Sequence, residues 1–158
     1  MPVSTIGSWS QAVLRRGLAA AWPIGVGYVP IGLALGVLGQ KAGMHPLALG
    51  CMSVCVFAGS SQFIAVAMMA GGSGILSIIA TTFLVNLRHL LMSSALAVHL
   101  RRCSRWRLAL FAYGVTDESF AVNYPRFQQG DWGAEEALVV NHAANLVWIV
   151  STVAGGYG

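Results

Sequence analysis

Phe83-Leu84-Val85-Asn86-Leu87-Arg88-His89-Leu90-Leu91-Met92 sets an amide, a guanidinium and an imidazole into an otherwise lipid-soluble stretch. No Asp, Glu, Lys or Arg occurs between Lys41 and Arg88. The apolar segment that carries Arg88 runs from about Gly74 to His99, so the charge falls near its middle. A cation at mid-bilayer costs about 2.5–3.5 kcal/mol on insertion scales. Such a group needs a partner or a task, so the expectation is a buried polar site inside a membrane protein.

The rest of the chain fits that setting. Of its 158 residues, 56% are hydrophobic and 9% charged, and the mean hydropathy is +0.70. Soluble domains carry roughly 25% charged residues. The charge-free run 42–87 exceeds one crossing at about 20 residues each, so it must fold back. Long continuous apolar runs, rather than short alternating segments, point to helices and not a barrel. The expected fold is all-α: a polytopic transmembrane helical bundle with broken or kinked helices near mid-membrane. Residues 1–16 read as an N-terminal interfacial segment, where Trp9, Val13 and Leu14 lie beside Arg15 and Arg16. Residues 17–158 read as the transmembrane domain, with about five apolar segments. The chain stops at Gly155-Gly156-Tyr157-Gly158 without a polar tail, the pattern expected of a truncated bundle.

The net charge of +4 is not a nucleic-acid signal. Its main cluster, Arg101-Arg102-Cys103-Ser104-Arg105-Trp106-Arg107, follows an apolar segment and marks a loop at the lipid headgroups. Cys51, Cys55 and Cys103 form no disulfide framework and lack the acids or histidines of a metal site. No Gly-rich phosphate loop is present, so neither nucleotide nor other cofactor is expected.

Irregular and polar residues gather at segment centres. The first segment, about Gly17–Gln40, holds Pro23, Gly25, Gly27, Pro30 and Gly32 and is expected to kink or break. The second, about Pro46–Ala70, holds Gly59, Ser60 and Gln62; the third holds Asn86, Arg88 and His89. The fourth, about Leu108–Tyr124, holds Asp117 and Glu118; alternatively Asp117 caps a new helix at the membrane surface. The fifth starts near Ala137 and carries Asn141, His142 and Asn145. Broken helices meeting at mid-membrane are how many secondary transporters build a substrate site. Five simple crossings put Arg15-Arg16 and the Arg101–Arg107 loop on opposite sides. One re-entrant segment, for which the first is the expected candidate, lets both lie on one side.

Three motifs carry a resemblance. Phe57-Ala58-Gly59-Ser60-Ser61-Gln62-Phe63, Val85-Asn86-Leu87-Arg88-His89-Leu90-Leu91-Met92 and Thr116-Asp117-Glu118-Ser119-Phe120-Ala121 resemble, in order and spacing, the AzlC family of branched-chain amino acid permeases. The resemblance spans about residue 17 to the end. It implies a multi-pass bacterial inner-membrane protein that exports valine and related amino acids with a small AzlD-type membrane subunit. It also implies further apolar segments beyond residue 158. A substrate of that class offers a carboxylate, an ammonium and an aliphatic side chain. Arg88 can take the carboxylate bidentately. Asp117 or Glu118 can take the ammonium, with Gly59, Ser60, Gln62, Asn86 and His89 completing the site. A permanent Arg88 bridge to Asp117 or Glu118 is the rival reading. His89, Asp117 and Glu118 are the groups available for proton coupling.

Two other classes stay open. Ser60 or Ser61 with His89 and Asp117 supplies the residue types of an intramembrane serine hydrolase. A non-transporting membrane assembly subunit is the second, although such a subunit does not require polar groups at mid-membrane.

Overall fold

The structure, a computed structural model, describes residues 10–158; Trp9 of the expected interfacial segment lies outside the described residues. The described residues form helices and no strands: α1 (Gln11–Lys41), α2 (Pro46–Cys55), α3 (Gly59–Ala70), α4 (Ile75–Ala97), α5 (Arg105–Tyr113), α6 (Asp117–Gln129) and α7 (Ala134–Tyr157). Among them, α1, α4 and α7 are long and apolar enough to cross a membrane.

The first segment does not break. α1 continues through Pro23 and Pro30. These prolines are seven residues apart, so both sit on the exposed face, while Ala20, Ala21, Ile24, Tyr28, Gly32 and Gly36 form the buried face. The rings therefore stay clear of the packed side, and close packing on that side compensates for the two lost amide bonds. The partner is α7. Gly17 lies against Val139, Gly25 against Val147, Gly32 against Ser151 and Gly36 against Thr152 and Gly156. Residue numbers rise together along the contact, so α1 and α7 run parallel. Small residues at Gly32 and Gly36 let the two backbones touch, the packing device of membrane helices.

The breaks fall in the second and fourth segments. Val56 is extended and Ala58 is non-helical between α2 and α3. The chain then turns back instead of continuing: Gln62 of α3 reaches Ser53 of α2, with Nε2 donating to Oγ at 2.9 Å. A continuing helix would place residues nine apart about 13 Å from one another along its axis. Pro46 and Leu49 lie beside Gly156 and Gly39, at the far end of the α1–α7 pair. The α2–α3 hairpin thus enters from that end, and its tip reaches the level of Trp148, whose ring lies against Gly59.

The second hairpin enters from the other end. Arg107 at the start of α5 pairs with Glu135 at the start of α7 at 3.0 Å, and Arg16 near the start of α1 pairs with Glu136 at 3.3 Å. α5 rises until Tyr113 donates to the Val54 carbonyl at the tip of the first hairpin, at 2.5 Å. The chain turns through Gly114, Val115 and Thr116, and α6 descends again, with His99 stacked on Phe127 near its end. Helices of 9–13 residues span only about 14–20 Å, roughly half the bilayer. The expected five crossings are therefore three full helices and two opposed re-entrant hairpins.

Two consequences follow from this order. The α1–α3 and α4–α6 units share one plan, a long helix followed by a hairpin, in opposite orientations. In addition, Arg15, Arg16, Arg101, Arg102, Arg105, Arg107 and Arg126, seven of the nine basic residues, lie at one end, with Lys41 at the other and Arg88 between.

Impermeant thiol reagents test the topology in a chain whose native cysteines are replaced by serine. Ala42→Cys and Ser73→Cys label from one face of the membrane, and Arg102→Cys and Gln129→Cys from the other. Labelling of positions 42 and 73 from opposite faces rejects the first hairpin. Gly36→Ala forces a methyl into the α7 backbone. Overpacking costs about 1–3 kcal/mol, so the unfolding temperature should fall by about 2–12 °C. Gly27→Ala meets nothing within 4 Å and leaves it unchanged or higher.

Candidate functional site

The hairpin tips meet over a cavity of about 330 Å³. Its walls come from five elements: Tyr28 and Ile31 of α1, Phe57 to Ser60 and Phe63 of the first hairpin, Arg88 and His89 of α4, Thr116 to Glu118 of the second hairpin, and Trp148 of α7.

The two tips are not equivalent. α3 begins at Gly59 behind Ala58, which offers no side chain to cap it. Its first backbone N–H groups keep their donor capacity at the cavity, the arrangement that attracts anions. Gly59 is required there because a Cβ would approach the Trp148 ring to 2.9 Å. α6 begins behind Thr116, whose hydroxyl accepts from Ser119 N at 3.2 Å while the Ser119 hydroxyl accepts from Thr116 N at 2.9 Å. This reciprocal cap satisfies two backbone donors at the helix start internally. Its first turn then adds Asp117 and Glu118, which favour the positive end of the helix and leave two carboxylates facing the cavity.

Arg88 stands between the tips. Its Nη1 is 2.6 Å from Asp117 Oδ2, and its Nη2 donates to Ser60 Oγ. Its Nε is buried with no hydrogen-bond partner among the described residues. One cation therefore joins the two hairpins and retains an unspent donor. Tyr28 ties α1 to the second hairpin from the opposite wall. Its hydroxyl donates to Glu118 Oε2 at 2.6 Å and lies 2.9 Å from Thr116 Oγ1. Phe57 and Trp148 meet the Tyr28 ring edge-on, at centroid distances of 6.0 and 5.2 Å.

Of the residues expected from sequence, Gly59, Ser60, Arg88, His89, Asp117 and Glu118 come together around this cavity. Gln62 and Asn86 do not. Gln62 is buried one turn behind the tip, where it donates to Ser53 and accepts from Trp148 Nε1 at 2.8 Å. Asn86 accepts from Ser61 Oγ at 2.6 Å on the far side of α3. Both fix the first hairpin, because a broken helix leaves polar groups at mid-depth that only protein can satisfy. Asp117 does not cap α6 either; Thr116 holds that position, and the new helix starts at mid-depth and not at the membrane surface. Neither Ser60 nor Ser61 is hydrogen-bonded to a histidine among the described residues. The hydroxyls are engaged by Arg88 and Asn86, so the hydrolase constellation is not assembled.

Sequence reading missed Tyr28, Thr116 and Trp148. Tyr28 had a signal, since it is the polar aromatic between Pro23 and Pro30. Trp148 had one only in its i+3 spacing from Asn145. A second polar chain locks the other hairpin to α7: Trp132 Nε1 donates to Asn123 Oδ1 at 2.9 Å, Asn123 Nδ2 to Asn141 Oδ1 at 3.0 Å, and Asn141 Nδ2 to the Phe111 carbonyl at 3.1 Å.

Comparison with known proteins places this architecture. The family model described as AzlC protein matches residues 23–158. The inner membrane protein YgaZ of Escherichia coli is 28% identical over 150 residues, 93% of this chain and 61% of that protein. The branched-chain amino acid transport protein AzlC of Bacillus subtilis is 28% identical over 149 residues, 92% of this chain and 57% of that protein. An uncharacterized membrane protein of Archaeoglobus fulgidus is 34% identical over 113 residues, covering 72% of this chain and 49% of that protein. The chain thus spans about six-tenths of the length of the first two. No solved structure matches. With the family match running through every wall of the cavity, the chain belongs to the AzlC protein family of membrane proteins.

Proposed function

We propose that the chain carries the substrate site of a secondary transporter for branched-chain amino acids, a multi-pass protein of the bacterial inner membrane. Export of valine-type substrates and a small AzlD-type partner subunit belong to the same reading. The supporting observation is the opposite dress of two half-helix N-termini around one cavity. The uncapped start of α3, beside the unspent Arg88 Nε, suits a carboxylate. Asp117 and Glu118 on the capped start of α6 suit an ammonium. Ile31, Phe57, Phe63 and Trp148 offer the aliphatic part an apolar wall. A volume of 330 Å³ sits at the small end of ligand pockets, about 300–1,000 Å³.

In this mechanism the Arg88–Asp117 bridge is the resting state and not a permanent brace. A zwitterion entering between the tips gives Arg88 a new carboxylate and Asp117 a new cation, so each charge exchanges one partner for another. The bonds from Ser60 to Arg88 and from Tyr28 to Glu118 join the two inverted units at mid-depth. Rocking of one unit against the other about this level opens the cavity to alternate sides. Glu118, Asp117 and His89 are the groups that couple the cycle to protons. The positive-inside rule puts the arginine-rich end in the cytoplasm.

Counterflow of radiolabelled valine in vesicles, with the small partner subunit present, tests the site. Arg88→Lys keeps the charge but loses the planar fork, and KM for valine rises about ten- to hundredfold. The exchange Arg88→Asp with Asp117→Arg restores an ion pair and still fails to transport. Unchanged affinity in Arg88→Lys, or activity in the exchange, leaves only the structural bridge.

Proton coupling has its own assay. Net valine movement in proteoliposomes is lost on adding a protonophore. Glu118→Gln retains counterflow but no longer responds to a pH gradient. Net transport indifferent to the protonophore rejects the coupling.

A further inference from the structure

At the arginine-rich end, a second cavity of about 540 Å³ opens between the α4–α5 loop and the starts of α5 and α7. It lies outside the site between the hairpin tips and shares no residue with it. Arg101 and Arg102 are exposed on its rim, and neither is spent in a salt bridge among the described residues. Arg107 neutralises the acid that lines it, Glu135, at 3.0 Å. Trp132 forms part of the wall, with the guanidinium groups of Arg126 and Arg16 over its ring at 4.5 and 5.4 Å. His99 also lines the cavity, and its Nε2 is buried without a hydrogen-bond partner among the described residues. The potential is therefore positive, and one polar atom in the wall is unmatched.

This cavity shares Leu100 in its wall with a narrower cleft of about 240 Å³ between α4 and α5, which Ala97, Leu108 and Phe111 also line and which runs toward Ser93. Side by side, the two make a basic chamber at the arginine-rich end next to an apolar slot between α4 and α5. A free anion would occupy the chamber and leave the slot unused. An amphiphile fills both. Trp106 is 73% exposed within the same basic loop, as expected of a side chain at the membrane interface. The seven arginines at this end give it the sign that attracts an anionic leaflet, at about 1 kcal/mol for each basic residue near the surface.

We propose that this composite cavity binds one anionic phospholipid, its phosphate against Arg101, Arg102 and His99 and one acyl chain along the α4–α5 cleft. The bound lipid ties the loop before α5 to the start of α7, and so steadies the base of the second hairpin.

Thermal unfolding of the purified full chain in detergent tests this, with phosphatidylglycerol, phosphatidylcholine and inorganic phosphate as probes. Phosphatidylglycerol raises the unfolding temperature by about 5 °C at saturation, and the other two do not. The double variant Arg101→Gln/Arg102→Gln unfolds at the parent temperature without lipid and needs at least about tenfold more phosphatidylglycerol for the same shift. Ala97→Phe, which fills the cleft and changes no charge, weakens the lipid response in the same direction. Equal shifts from phosphatidylcholine overturn the proposal, as does an inorganic phosphate effect that matches the lipid. If the arginine variant folds poorly, an unaltered response in Ala97→Phe overturns it instead. None of these readouts depends on transport, so they stand or fall separately from the substrate site.

Discussion

A guanidinium halfway along α4 can exist in this fold only if something meets it there. Arg88 is the fourteenth of 23 residues in a helix with apolar side chains on its outer faces. Leaving it in hydrocarbon costs several kcal/mol. The fold answers by bringing two chain reversals to the same depth, one supplying Ser60 and the other Asp117. Reversals at that depth raise a second problem, because each exposes backbone donors and acceptors that lipid cannot satisfy. The two problems solve one another. Hairpin tips supply partners for the cation, and the cation, with Tyr28, supplies partners for the tips.

The parallel α1–α7 pair makes this geometry possible. Its glycine seam brings two full-length helices close enough to act as one rigid post, against which the first hairpin leans through Trp148 and Gly59. The second hairpin is fastened to the same post by the buried Trp132–Asn123–Asn141 chain. The hairpins are thus each anchored at the base and along α7. Where they face each other at the tips, they are joined by a few polar bonds. Rigid anchoring with a sparse polar contact at the centre is what a site must have if its two sides are to separate and rejoin.

Sequence patterning disclosed the class of the fold, and failed on which segments break. Charge-free runs and centred polar residues are one-dimensional facts, and they carried over directly. Two prolines in α1 suggested a break, but their seven-residue spacing puts both on the outer face, where the helix tolerates them. Val56-Phe57-Ala58 breaks the second segment with no proline and no glycine inside it. That reversal is imposed by tertiary bonds from Gln62, Trp148 and Tyr113, none of which local propensity can register. The second reversal was more legible, since Gly114 and the Thr116–Ser119 cap are local signals. Gln62 and Asn86 were picked because they are polar at mid-depth, and polarity at that depth does not separate a cavity lining from a brace behind it.

The reversals also settle how the basic residues can share a side. Counting apolar segments as crossings separates Arg15 and Arg16 from the Arg101–Arg107 loop, which conflicts with the charge bias of membrane proteins. Turning the second segment back on itself removes the crossing that separates the two clusters and brings both to one end, with Lys41 left opposite, and turning the fourth segment back keeps Arg126 on that same end. Charge asymmetry and the re-entrant geometry are independent observations, one from composition and the other from the positions of Ser53, Gln62, Arg107 and Glu135. Their agreement argues that the two hairpins enter from opposite faces. The dipoles of α3 and α6 then both point their positive ends at the centre. Two such ends facing one cavity would favour an anion alone. Asp117 and Glu118 cancel that preference on one side only, which leaves the two sides of the cavity with unlike charge.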